Sequence, residues 1–101
     1  MSKSFYMKEH AVGSTKIIGA CDRELLGKVI KDETGLEISL VETFYGGKLV
    51  DDEELLRSIR DAASVNLVGN RIVKTVLEKG FGKEDNAKKI GGVMFMMIIH
   101  I

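Results

Sequence analysis

The chain has 101 residues, 15 basic and 15 acidic side chains, and no formal net charge. That length gives one domain with one core, and 45% apolar residues are enough to fill it, which excludes a disordered chain. The charge balance counts against a general polyphosphate binder, the single cysteine excludes an internal disulfide framework, and the longest apolar run, Val93 to Ile99, is too short to cross a bilayer.

From the start of the chain, Ser4 to Lys8 has strand composition, Gly13 marks a turn, and Thr15 to Ala20 reads as a second strand, so a hairpin is expected. No signal peptide is visible before it, and a soluble intracellular protein without membrane contact is expected. Asp22 stands at a helix-cap position, with Glu24 in the first turn and Leu25 and Leu26 as the apolar side. Gly27 keeps that helix short. Val29 and Ile30 begin a strand that turns through Asp32 to Gly35. Leu36, Ile38 and Leu40 then alternate with polar residues, the cleanest period-two pattern present, and predict a half-buried strand over 36–42.

The stretch Phe44 to Gly80 organises the rest. It opens on the Gly46-Gly47 turn. Asp51 or Asp52 caps a helix, because a short carboxylate accepts from the free N–H groups of the first turn, and Glu53 and Glu54 follow where the helix dipole favours negative charge. Leu55, Leu56, Ile59, Ala62 and Ala63 form one apolar face. Val65, Val68, Ile72, Val73, Val76 and Leu77 form another, rotated by roughly a quarter turn at about 100° per residue. A straight helix does not bury both equally, so a kink or two helices are expected, with the break near Ala63–Asn66 and Ser64 as a second cap. Lys79 and Gly80 suit a helix end. Gly82 to Lys89 is polar and holds at most one helical turn. After Gly91-Gly92, Val93 to Ile101 is nearly all apolar and predicts an inner strand buried on both faces. The expected class is α+β: a small, mostly antiparallel and possibly mixed sheet, with helices packed on one face.

Four blocks carry a resemblance: Ala20-Cys21-Asp22-Arg23-Glu24-Leu25-Leu26-Gly27-Lys28, Phe44-Tyr45-Gly46-Gly47, Asn66-Leu67-Val68-Gly69 and Ile90-Gly91-Gly92-Val93. In order and spacing they resemble the archaeal domain-of-unknown-function family 424 from about Cys21 to Val93. The resemblance implies an archaeal, cytoplasmic, single-domain protein with no established activity, and it contributes to an expected role near RNA or translation. One departure stands out. Where the family continues after its glycine-valine with proline, histidine, alanine and glutamine, this chain has Met94, Phe95, Met96 and Met97. If the family's histidine and glutamine form a site, apolar side chains replace it here, and His100 lies too far along to substitute.

The candidate chemistry has a plain and a functional form at each place. Cys21, between a strand and a helix, is either a buried structural thiol or a thiolate activated by the helix start, which would still need His10 or His100 as base. Gly46, Gly47 and Lys48 make either a tight turn or a loop whose N–H groups and ammonium approach a phosphate, with Tyr45 available for stacking. Asn66 either bonds backbone freed at the helix break or faces a ligand. Arg57, Arg60, Arg71 and Lys74 are either a solvated mixed face or a phosphate-touching stripe, with Lys83, Lys88 and Lys89 as a weaker cluster. Metal-ligand spacing and nucleotide fingerprints are missing from the sequence, and no cofactor is called for.

Three expectations follow. The first is a non-catalytic module for RNA or a ribonucleoprotein linked to translation, through Tyr45, Gly46, Gly47, Lys48, Arg57, Arg60, Asn66 and Arg71. The second is a small-ligand binder or small enzyme with a cleft around Cys21, Asp22, Tyr45 and Asn66. The third is a homodimer assembled through the Val93–Ile101 strand.

Overall fold

The computed structural model describes residues 3–100. The expectation for the C-terminal strand therefore reaches one residue, Ile101, that lies outside the described residues. In chain order the elements are β1 (Phe5–Val12), β2 (Thr15–Asp22), β3 (Val29–Lys31), β4 (Glu37–Ser39), α1 (Glu42–Tyr45), β5 (Lys48–Val50), α2 (Asp52–Asp61), β6 (Ser64–Val68), α3 (Asn70–Glu78), β7 (Ala87–Ile90) and β8 (Val93–Ile99), with 3-10 turns at Arg23–Leu25 and Glu84–Asn86.

Six strands form one sheet in the order β5-β1-β2-β6-β8-β7. β2 and β6 pair parallel, and every other neighbouring pair in this sheet is antiparallel. β5, β2, β6 and β7 therefore run one way, and β1 and β8 the other. Two crossovers join parallel strands: β5–α2–β6 steps over β1 and β2, and β6–α3–β7 steps over β8. Crossovers of one hand that step in one direction place their helices on one face of the sheet. Both helices lie there, and the α+β class with its mostly antiparallel sheet is the observed one.

That face is sealed. Met7, Ala20, Leu67 and Met96 line up across β1, β2, β6 and β8, with Ile18, Val65 and Ile98 in the next row. Leu55 and Ile59 of α2 and Ile72, Val73 and Val76 of α3 pack on them. Burying each such side chain stabilises by roughly 1.5–3 kcal/mol. The start of α2 is built as expected: the Asp51 carboxylate accepts from the Glu54 N–H at 3.0 Å.

Four expectations are corrected. The apolar set beginning at Val65 does not start a helix; Ser64–Val68 is β6, held between β2 and β8. Backbone pairing on both sides outweighs a helical periodicity that Val65 and Val68 share by chance, and the second helix keeps only nine residues. Ser64 accordingly caps nothing. The strand predicted over 36–42 shrinks to Glu37–Ser39, which pairs only with β3 as a separate ribbon, and α1 begins at Glu42. The polar stretch after Gly82 holds its one helical turn and then an edge strand, β7, whose Lys88 and Lys89 suit an exposed position. Finally, β8 is an inner strand but is not buried on both faces: Met96 and Ile98 are buried, while Met97 and Ile99 are 49% and 63% exposed.

Candidate functional site

The second face of the sheet is only partly covered. Cys21, Val68, Ile30 and Leu40 form a small buried cluster there, with Tyr6, Leu25, Leu26, Ile38, Tyr45, Val93 and Phe95 packed around it. The cover is the chain from Arg23 to Gly47, including the β3–β4 ribbon and α1. Helix α1 is pinned by Phe44. Its ring lies against Gly19, where any Cβ would overlap it, and stacks on His10 at 4.7 Å and 14°. His10 Nε2–H also donates to the Phe44 carbonyl oxygen at 2.9 Å.

Beyond this cover the sheet opens into a cleft of about 380 Å³. Tyr45, at the end of α1, forms one wall. Asn86, the last residue of the 3-10 turn, and Lys88 of β7 form the other. Asn66 and Val68 of β6 and Phe95 and Met97 of β8 reach it from the floor. The register accounts for the grouping: Asn66 pairs with Met97, Val68 with Phe95, and Lys88 with Phe95 from the other side. The cleft has an apolar floor, two aromatic rings, two carboxamides, one phenol and one ammonium. Partial burial holds the Tyr45 hydroxyl in its neutral form by raising its pKa.

The sequence-predicted residues divide between the faces. Tyr45 and Asn66 share the cleft. Gly46 and Gly47 do not line it; a Cβ on Gly47 would overlap the Met7 carbonyl oxygen, so Gly47 lets the chain after α1 pass β1 at close range. Lys48 is in β5 at the sheet edge and pairs with Glu54 at 3.4 Å. Arg57 and Arg60 are on α2, on the opposite face, with the Arg60 guanidinium 5.6 Å from the Phe81 ring centre.

Arg71 is held in a structural network. It donates to both Glu24 carboxylate oxygens and to the Ser4 carbonyl, and lies 5.6 Å over the Phe5 ring. The same network explains Asp22, which is buried and does not cap the turn that follows it. Its carboxylate reaches across 49 residues of sequence to accept from the Arg71 N–H at 3.1 Å and the Ile72 N–H at 2.8 Å, capping α3. Gly69 precedes them at φ 133°, where a Cβ would overlap the Asp22 carboxyl. Burial pushes the Asp22 pKa up, against the two N–H bonds. Arg71 holds the Glu24 carboxyl below its ordinary value.

Cys21 does not line the cleft. It is fully buried beneath the cover, and burial, with Asp22 and Glu24 nearby, pushes its thiol up to about 12. His10 is engaged with Phe44, and His100 Nδ1–H donates to the Ala62 carbonyl at 2.7 Å. Neither imidazole bonds the sulfur. Among the described residues, no group of three or more His, Cys, Asp or Glu is placed to hold a metal ion, and no helix is long and apolar enough to cross a membrane.

Phe95 and Met97 are not candidate site residues in the sequence analysis, and Lys88 enters there only within the weaker basic cluster. The available signal was the Gly91-Gly92 hairpin: a two-residue turn sets Ile90 against Val93 and so Lys88 against Phe95, on the face opposite Met96 and Ile98.

Comparison with curated proteins finds no match. A crystal structure described as an uncharacterized conserved protein from the archaeon Methanopyrus kandleri is similar, with a TM-score of 0.77 and 27% identity over 96% of this chain and 93% of that one. The model of the family described as protein of unknown function DUF424 matches residues 2–101, and the chain belongs to that family.

Proposed function

We propose that the chain is a non-catalytic binding module that recognises RNA, alone or within a ribonucleoprotein, through the open half of its second sheet face. The observation that carries this is the Tyr45–Asn66–Phe95–Lys88 cleft, where aromatic faces, carboxamides and one cation converge on an apolar floor. Stacking surfaces beside a positive charge suit single-stranded nucleic acid, since every base offers a π-face and every nucleotide a phosphate. The buried thiol of Cys21 and the engaged rings of His10 and His100 support a binding role over nucleophilic chemistry. A place near translation in the cytoplasm belongs to the same proposal.

The test is fluorescence anisotropy of labelled single-stranded RNA and of ribosomal RNA. Binding is expected at low salt and weakens as salt rises. Lys88→Ala is expected to lower affinity and flatten the salt dependence by the share of about one phosphate contact, while Arg57→Ala on the far face leaves both unchanged. Absence of any binding at low salt ends the proposal.

Met97 and Ile99 also favour a second copy of the chain as occupant of this face, because exposed neighbouring apolar side chains mark association surfaces. A light-scattering mass of one chain at high concentration ends that alternative.

A further inference from the structure

The geometry points to a seat for a single unpaired nucleobase between Tyr45 and Lys88, edge-read by the Asn66 carboxamide; this rests on the RNA proposal and narrows it. The volume comes first. About 380 Å³ lies near the lower end of ligand-sized cavities, enough for one base with its sugar and too small for a stacked helix. A base within a duplex has both faces stacked and its edge paired, so only an unpaired base enters such a cleft.

The polar groups come second. Asn66 sits half-buried on β6, flanked on its face by Gly19 and Met97. Among the described residues its carboxamide has no hydrogen-bond partner, and neither has the Tyr45 hydroxyl. No buried side-chain nitrogen or oxygen among the described residues lacks a partner, so the Asn66 carboxamide is open to solvent and free to bond a ligand. It offers one acceptor and two donors, the complement of a base edge. Phe95 supplies the ring surface beside it. Lys88, which has no ion-pair partner among the described residues, stands at the rim where the phosphate of a seated nucleotide would lie. One cation matched to one phosphate is also how a chain with no net charge can hold RNA without a basic surface.

Two short single-stranded RNAs of equal length test this, one intact and one abasic throughout, with binding followed by anisotropy. The intact strand is expected to bind about tenfold more tightly, the scale of one stacked and bonded base. Tyr45→Ala is expected to remove most of that difference and Asn66→Ala part of it, and Lys88→Ala to weaken both strands alike. A readout that needs no variant is the side-chain amide signal of Asn66, which moves with the intact strand and stays with the abasic one. Equal affinities for the two strands overturn the base seat and leave the RNA proposal standing. Binding of neither strand removes both.

Discussion

The two faces of the sheet are made from the same strands and have opposite fates. One face carries Met7, Ala20, Leu67 and Met96 under two amphipathic helices and is buried. The other carries Cys21 and Val68 under a ribbon and one short helix, and then runs out of cover, leaving Asn66, Met97 and Ile99 at the surface. The crossover helices are obligatory, because parallel strands must be joined by them, so the first face is closed by topology. The second is closed only as far as the Arg23–Gly47 excursion reaches. Fold and site are thereby separated: stability resides on the closed face, and the candidate site opens where the excursion stops.

The largest expected effect probes the covered half of the second face. With its thiol pushed up to about 12 from an ordinary 9.0, native Cys21 exposes roughly a thousandfold less thiolate near neutral pH, and burial adds to this. Thiol-reagent labelling should follow unfolding, not native chemistry. Labelling at the rate of a free thiol would show that the cover is open.

Next in size are matched truncations on the two faces. Leu67→Ala, in the sealed core, is expected to cost about 2–5 kcal/mol in urea unfolding, while Met97→Ala, one strand over and facing outward, stays within about 0.5 kcal/mol. Similar costs would erase the distinction between the faces.

On the closed face, Asp22 at the end of β2 holds the start of α3. In Asp22→Asn one acceptor oxygen becomes an NH₂ facing a backbone N–H, at an expected cost of about 1–3 kcal/mol. Gly69→Ala meets the same carboxyl at a backbone angle that L-residues avoid, with a similar expected loss. A neutral result for both would mean that α3 is not capped from β2.

The smallest effect is the Glu24–Arg71 pair. The folded pKa of Glu24 is lowered, so its stabilisation is present above the unfolded value of 4.5 and is lost as pH falls through the folded value. Both side chains are about half exposed, so Glu24→Gln is expected to cost no more than about 1 kcal/mol at neutral pH, shrinking towards zero in acid. Asp22 has the opposite sign: its folded pKa is raised above 3.8, so its contribution grows as pH falls through that raised value and levels off below 3.8. Unfolding of wild type and Glu24→Gln side by side across that window separates the two, because burial, the main cause of the Asp22 shift, is common to both and Glu24 is the smallest cause. A Glu24→Gln cost that persists in acid would remove the ion pair as its cause.

Part of the site was legible. Tyr45 and Asn66 were identified from their glycine-rich blocks, and the structure places both in one cleft. Cys21 was grouped with them by sequence proximity to a strand end, but strand alternation buries it under the cover. Arg57 and Arg60 were grouped with Tyr45 by charge, yet a helix on one face cannot present side chains to the other. Lys88 and Phe95 became neighbours only through the β7–β8 register.

The sequence by itself determined what depends on near neighbours: the β1–β2 hairpin, the Asp51 cap, the apolar stripe of α2 and the glycine that ends α3. These rest on backbone geometry and periodicities within a turn or two. Only the tertiary structure decided that Ser64–Val68 is a strand, that Asp22 caps a helix 49 residues away, and that Asn66 meets Tyr45 and Lys88. Each of those depends on hydrogen bonds or contacts between distant segments, which no local pattern encodes.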